Sequence, residues 1–599
     1  MPVTPRSDLL KDLLVLGAAP RPGGQFLLDG TGEHRQFTPE DFTDEQRELM
    51  RTATQFSDRE VAPRVKEIEE KAPGVLVGLL KRAGELGFLA IDVPEEYGGL
   101  GLSKTTSMLA TETIRRVGSF STTIGAHTGI GTLPLVFYGT EEQKQRYLPR
   151  LASGEWIAAY ALTEAGSGSD ALAAKATARR DGDTWVLNGV KQWITNGGFA
   201  DLFTVFAQVV PDGGFSAFLV EAKTPGVSHG PEEHKLGIRG SSTTEVILQD
   251  ARIPAGNLLG DVGRGHKIAF NILNVGRLKL GIGTIGASKL CLEIAARYSQ
   301  ERKQFGKSLS SFGLIRQKLG QMATRIFVGE SMTYRASGLI DAADFTAKDH
   351  ARVLEEYAIE SSVLKIFGSE CLDFCSDEAL QIHGGYGFIE EFPIARIARD
   401  SRINRIFEGT NEINRLLIPS ILFKRALKGE LPLLAFVEKT MEQLRASTTP
   451  FHTSASSDVL AYEKRACDVA KRLVAWIAAL VAEKHAMDLP EHQELLGPLA
   501  DAIIGAYGMD SAVQRALQAV ESNHPRTVRM LPMVRIYVHD THESLLETAR
   551  LLAAEICDDT ELEARMAEIS RFPERRPLRY FTEVDRVAAG VLEDEGFMK

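Results

Sequence analysis

Trp185-Val186-Leu187-Asn188-Gly189-Val190-Lys191-Gln192-Trp193-Ile194-Thr195-Asn196-Gly197-Gly198 is the stretch on which the fold turns. Apolar and β-branched residues bounded by Asp-Gly and Asn-Gly read as strand and turn, and further β-rich runs follow at Leu202 to Val210, Phe215 to Val220 and Glu245 to Leu248. They predict a small antiparallel β domain over 156–264. On either side the apolar residues recur at three and four positions, which predicts a helical domain over 43–155 and a helical bundle over 265–428. Pro20, Pro22, Gly23, Gly24, Gly30 and Gly32 interrupt residues 1–42, an arm expected to lie on another surface. Residues 429–599 read as a helical extension in which Ser447 to Asp458 forms a linker and Val459 to Met487 a long helix. The fold class is mainly α with a middle β domain.

A chain of 599 residues is too long for one core, and 44% hydrophobic with 25% charged residues is ordinary for a globular protein. The net charge of -11 gives no general attraction for nucleic acid. Its most apolar run, Leu473 to Ala482, is about half the ~20 residues that a membrane-crossing helix needs. Asp8 and Asp12 precede the apolar Leu13 to Ala19, so this segment lacks the basic start of a signal peptide and is expected to belong to the mature protein. Five scattered cysteines (Cys291, Cys371, Cys375, Cys467, Cys557) suggest free buried thiols in a reducing compartment, with no metal site. Arg571, Arg575, Arg576 and Arg579 read first as solvated charge that helps the end of the chain dock.

Gly281-Ile282-Gly283-Thr284-Ile285-Gly286 has the spacing of a dinucleotide-binding loop, but it lies inside one helical pattern from about His266 to Glu301. Small residues at that spacing let helices approach closely.

Four motifs carry the functional argument. Tyr160-Ala161-Leu162-Thr163-Glu164-Ala165-Gly166-Ser167-Gly168-Ser169-Asp170 reads alone as a loop. In Lys191 to Gly198 a flat aromatic, Trp193, is followed by the hydroxyl of Thr195. Arg302-Lys303-Gln304-Phe305-Gly306-Lys307 ends a helix with groups suited to a pyrophosphate. The fourth runs from Gln381-Ile382-His383-Gly384-Gly385-Tyr386-Gly387-Phe388 through Arg399-Asp400 to Phe407-Glu408-Gly409-Thr410-Asn411-Glu412-Ile413, where Glu408 stands beside a Gly-Thr turn.

In this order and frame the motifs resemble the acyl-CoA dehydrogenase family over about residues 43–425. The resemblance implies FAD, held by Tyr160, Leu162, Thr163, Gly168, Ser169, Trp193, Ile194 and Thr195. It also implies that Arg302, Gln304, Phe305, Gln381, Gly384, Gly385, Thr410 and Glu412 complete the FAD site, partly across the interface of at least a homodimer. Glu408 is implied as the base that takes the α proton of a fatty acyl-CoA, with its backbone amide polarising the thioester; burial should raise its pKa toward the working range. Ser169 and Gly409 are expected to face the substrate. Gly125 and Ala126, with Gly129 and Gly131, fall on the segment that closes the acyl pocket, where small side chains would either deepen the cavity or pack helices.

Phe312-Gly313-Leu314-Ile315 and the long extension resemble the very-long-chain branch. Ser242 and Thr244 replace the Asp and Arg that touch the CoA nucleotide in many relatives, and Ala165 replaces a usual proline. The resemblance further implies an electron-transferring flavoprotein as acceptor, and a cytoplasmic place (matrix in a eukaryote) with peripheral contact on the inner face of a membrane. The apolar face of Leu431 to Leu444 fits either that contact or burial on its own protein. An oxidase using oxygen, and an assembly protein that keeps the fold, are the alternative readings.

Overall fold

The computed structural model describes residues 20–346, 349–446, 458–485, 489–573 and 576–598. The segment Leu13 to Ala19, the linker from Ser447 to Ser457, Met487 and Arg575 lie outside the described residues.

The first helical region comprises α1 (Asp44–Phe56), α2 (Val65–Glu69), α3 (Val75–Glu85), α4 (Lys104–Thr113), α5 (Gly118–Ala126), α6 (Leu133–Tyr138) and α7 (Glu141–Ser153). Capping boxes start α1 (Thr43 with Gln46) and α7 (Thr140 with Gln143), satisfying amides that a helix leaves unpaired. After α5 a wide turn, His127–Gly131, is locked by the buried His127: Nε2 donates to the Leu151 carbonyl and Nδ1 accepts from the Ala158 amide. Burial pushes this imidazole down to about 4, so it stays neutral.

The β domain holds β1 (Ala158–Ala161), β2 (Thr177–Asp181), β3 (Thr184–Thr195), β4 (Leu202–Val210), β5 (Gly214–Glu221), β6 (Val227–His229), β7 (Thr243–Pro254) and β8 (Leu258–Leu259). Their order is β6-β7-β3-β2-β4-β5-β8, with β1 also on β4. Most pairings are antiparallel as predicted; β1 and β2 run parallel to β4, one along its first half and one along its last. A bulge between Lys191 and Ile194 interrupts β3 against β7 and turns Trp193 out of the ladder at φ 58°.

Helices α8 (Gly265–Glu301), α9 (Gly313–Thr346), α10 (His350–Glu356), α11 (Ala358–His383), α12 (Pro393–Ser401) and α13 (Asn411–Leu427) follow, with the short hairpin β9 (Lys303–Gln304) and β10 (Lys307–Ser308) after α8. The glycine run at 281–286 lies within the unbroken α8. A Cβ at Gly281 would sit 2.9 Å from the Leu364 carbonyl of α11, and one at Gly286 would sit 2.2 Å from the Glu112 carbonyl of α4. These glycines are there for helix contact.

The extension adds α14 (Leu433–Ala446), α15 (Ala461–His485), α16 (Gln493–Glu521), α17 (Thr527–Ile556), α18 (Asp559–Ile569) and α19 (Tyr580–Glu593). Helices α15, α16 and α17 pack on one another, and α19 lies along α9 and α17. Leu431, Leu433, Thr440 and Leu444 are buried and α14 packs on α15, so this apolar stripe is taken up inside the protein. Arg571 donates to the Leu444 carbonyl, a docking role for one of the late arginines. All five cysteines are free, four of them buried. Among the described residues no helix is long and apolar enough to cross a membrane.

Residues 20–42 lie across the helical bundle and the C-terminal extension. The Gly23 and Gly24 amides donate to Glu356 and Glu360, Thr31 Oγ1 donates to Asp510, and Gln36 exchanges hydrogen bonds with Gln518. Glu40 binds the buried Arg515 at 2.7 Å, and the same guanidinium holds Glu330 at 2.6 Å. Burial alone would raise the Glu330 pKa, but Lys289 and Arg515 outweigh it and hold the carboxyl at about 2. Removing one cation from such a buried network costs about 3–5 kcal/mol, because the acids stay behind unpaired. Arg515→Met should therefore lower the thermal midpoint and open residues 20–42 to limited proteolysis; an unchanged midpoint with a protected arm would contradict this anchoring role.

Candidate active site

Glu408 and Gly409 both adopt left-handed backbone, at φ 59° and 79°. For glutamate this conformation is strained, so the surroundings must hold it. Arg277 Nε donates to the Glu408 carbonyl (3.2 Å), Lys365 Nζ donates to the Gly409 carbonyl (2.7 Å), and Asn414 Nδ2 donates to the carbonyls of Gly409 and Thr410 (2.8 and 3.0 Å). The Thr410 hydroxyl accepts from the Ile413 amide and caps α13 immediately after the turn.

These donors hold the backbone and leave the side chain alone. Glu408 Oε2 is buried and accepts no hydrogen bond. Burial pushes this carboxyl up to about 7, even though the Arg277 and Lys365 charges pull it down. Lys365 is itself lowered by burial to about 7. A carboxylate poised near neutrality and free of donors is suited to take a proton.

Glu408 stands at the junction of two cavities. The wider, about 2320 Å³, is lined by Tyr160, Leu162, Thr163, Gly168, Ser169, Trp193, Ile194, Thr195, Glu408, Gly409 and Thr410, which brings together the residues predicted from the first and second motifs with those around Glu408. Trp193 presents a 57% exposed indole there. Its wall is braced from behind: Lys191, fully buried, donates to Glu164 (2.6 Å) and to the Leu162 carbonyl (3.1 Å), and the Gln192 amide donates to the Thr163 carbonyl.

The narrower cavity, about 200 Å³, shares Ile130, Thr195, Ile238, Phe407 and Glu408 with the cleft and continues inward. Gly125, Ala126 and Gly129 line it, so their small side chains do leave space. Gly131 does not; a Cβ there would meet the Ala158 backbone at 2.9 Å, so it serves packing. From α8 the lining comes from Gly276, Lys279, Leu280, Gly283, Thr284, Ala287 and Leu290, one helical face. That interval of about fourteen residues, at ~1.5 Å each, makes the cavity wall about 21 Å long.

Arg302, Gln304, Phe305, Gln381, Gly384 and Gly385 do not line either cavity. They share a separate surface where Arg302 stacks over Tyr386 at 5.2 Å and Phe305, 92% exposed, meets Phe312 edge-on. Glu412 is exposed in the first turn of α13 and also lies outside both linings. Ser242 is engaged by Glu232 (2.6 Å) and Thr244 is buried.

Family models for the acyl-CoA dehydrogenase N-terminal, middle and C-terminal domains match residues 43–155, 159–251 and 263–422, and a further C-terminal domain model matches 469–571. The chain belongs to the acyl-CoA dehydrogenase family. A probable acyl-CoA dehydrogenase of Bacillus subtilis (strain 168) is 46% identical, covering 96% of this chain and 98% of its own. The very long-chain specific mitochondrial acyl-CoA dehydrogenase of Bos taurus is 36% identical over 84% of this chain and 79% of its own. Among solved structures, the acyl-CoA dehydrogenase complexed with FAD from Bacillus anthracis aligns with a TM-score of 0.94 at 44% identity, covering 97% of this chain and all of that one.

In this acyl-CoA dehydrogenase the motifs alone did not reveal the residues that hold Glu408. Arg277 and Lys365 each interrupt an apolar helical run, Val275 to Leu278 and Val363 to Ile366, which was the available signal for buried charge with a task. Gly276 is the other omission. A Cβ there would stand 2.3 Å from Glu408 Oε2 and 2.6 Å from its carboxyl carbon. Gly276→Ala should therefore displace the carboxylate and lower kcat by about 100-fold with FAD retained, since a shift of about 1 Å in a reacting group has that effect; wild-type kcat in a correctly folded variant would show that the contact does not position Glu408.

Proposed function

We propose that the chain oxidises long-chain fatty acyl-CoA thioesters to trans-2-enoyl-CoA, with Glu408 removing the proton from the carbon next to the thioester. The observation that carries this reading is the buried, undonated Glu408 carboxylate between a wide cleft and a narrow cavity. The narrow cavity runs inward from Glu408 along the α8 face, where it suits an extended acyl chain, and the cleft is large enough for a thioester beside a flat cofactor.

The cleft residues fit FAD: Trp193 offers a flat exposed face, Thr163, Ser169 and Thr195 offer hydroxyls, and Tyr160, Leu162, Ile194, Gly168 and Thr410 complete the wall. FAD, when bound, supplies the acceptor for the hydride that leaves the β carbon. The surface carrying Arg302, Gln304, Phe305, Gln381, Gly384 and Gly385 is exposed and aromatic, and we assign it to a second copy of the chain whose cofactor it helps to hold; Glu412 belongs to the same reading. Ser169 and Gly409 then face the substrate. Electrons pass on to an electron-transferring flavoprotein, the acceptor that the family resemblance implies.

The chain's own contribution is to desolvate the base and fix it. With its donors spent on the backbone carbonyls of 408–410, the carboxylate has no competing hydrogen bond to break before it takes the proton. Only the ionised form can act, so the rate of substrate-dependent flavin bleaching should rise with pH through an inflection near 7. Glu408→Gln should bind FAD and acyl-CoA yet show no anaerobic bleaching; normal bleaching by that variant would remove Glu408 from the role.

A further inference from the structure

Besides Glu408, the narrow cavity has six charged groups in its wall as well as apolar ones: Asp92, Arg115, Arg116, Lys279, Arg396 and Asp400. Five of the six are neutralised. Asp92 pairs with Lys279 and Lys104, Arg116 with Asp58 and Glu293, and Arg396 with Asp400. Arg115 is different. Its side chain makes no hydrogen bond or ion pair with any described residue, and its Nε is buried without a partner.

The acids near Arg115 are already taken. Asp58 and Glu293 bind Arg116, Glu293 also reaches Arg297, and Glu112 binds Lys289 and Tyr334. Burial lowers the Arg115 pKa and Arg116 adds to the effect, more than Glu112 and the other acids restore. A guanidinium left buried and unpaired is unfavourable for folding, and such groups persist where a ligand completes them.

Its place in the cavity says which part of a ligand that would be. Arg115 follows the end of α4, where Thr111 and the C-cap residue Ile114 line the wall, and Gly283 and Gly286 of α8 touch α4 at Thr111 and Glu112. Arg115 therefore stands near the Leu290 end of the α8 face, whereas Gly276 and Glu408 mark the other end, about 21 Å away. Resting on the acyl-CoA reading of this cavity, we propose that Arg115 pairs with an anionic group at the far end of the acyl chain, so that CoA monothioesters of long dicarboxylic acids are preferred substrates. The planar guanidinium suits a carboxylate through paired N–H donors.

The test uses holoenzyme carrying Glu408→Gln, which should bind without turning over. Calorimetry would compare the CoA thioesters of monocarboxylic acids and of dicarboxylic acids across matched chain lengths, alongside anaerobic bleaching of the wild-type holoenzyme by the monocarboxylic series. At the length that reaches Arg115 the dicarboxylic thioester should bind at least ~10-fold more tightly, the worth of one charge-assisted hydrogen bond. Adding Arg115→Met should abolish that preference and raise the thermal midpoint, while Arg115→Lys should keep part of the preference. Equal affinity for the two series at every length, or equal weakening of both by Arg115→Met, would overturn the assignment. Failure of every thioester to bind and of the wild type to bleach would overturn the acyl-CoA reading with it, whereas bleaching by monocarboxylic thioesters without a dicarboxylic preference would overturn Arg115 alone.

Discussion

The structure of this site depends on capturing one strained turn from three sides. Left-handed backbone at Glu408 is unfavourable for a residue with a Cβ, and it survives because Arg277, Lys365 and Asn414 donate to the carbonyls it exposes. Each donor comes from a different helix, α8, α11 and α13. The packing of those helices is thereby converted into the position of a single carboxylate. Gly276, by having no side chain, leaves the space that carboxylate fills.

The same arrangement separates charge from hydrogen bonding. Two cations stand close enough to moderate the burial of Glu408, yet their N–H groups are spent on carbonyls. Had they donated to the carboxylate, its pKa would have fallen below the ordinary range and its basicity with it. Asp92 shows that opposite case in the same molecule: burial would raise it, but direct pairing with Lys104 and Lys279 holds it well below the usual carboxylate range.

The helical, β, helical order was legible because period and turn residues change together at Trp156 and again after Pro254, and β3 was readable down to its Asn-Gly turn. Parallel pairing of β1 and β2 with β4 was not, since strand direction depends on contacts remote in sequence. The helical reading of 281–286 could be reached from context, while the neighbours that require those glycines appear only in three dimensions. Of the site, Glu408, Thr163, Trp193 and Thr195 were readable from motifs and meet in one cleft. Arg302, Phe305 and Gln381 carried equally strong motifs and lie elsewhere on the surface, outside both cavities, because a motif does not say where in the fold its residues end. The anchoring residues Arg277, Lys365 and Asn414 belong to no motif; their importance comes from where their donors end.

The protonation of Glu408 itself can be followed directly by infrared difference spectroscopy of the holoenzyme across pH, with Glu408→Gln as the reference. A protonated carboxyl band that is absent from the variant and disappears on raising the pH through about 7 is the predicted result. A band that titrates in the ordinary glutamate range near 4, or none at any pH, would show a solvated or directly paired carboxylate and contradict the account.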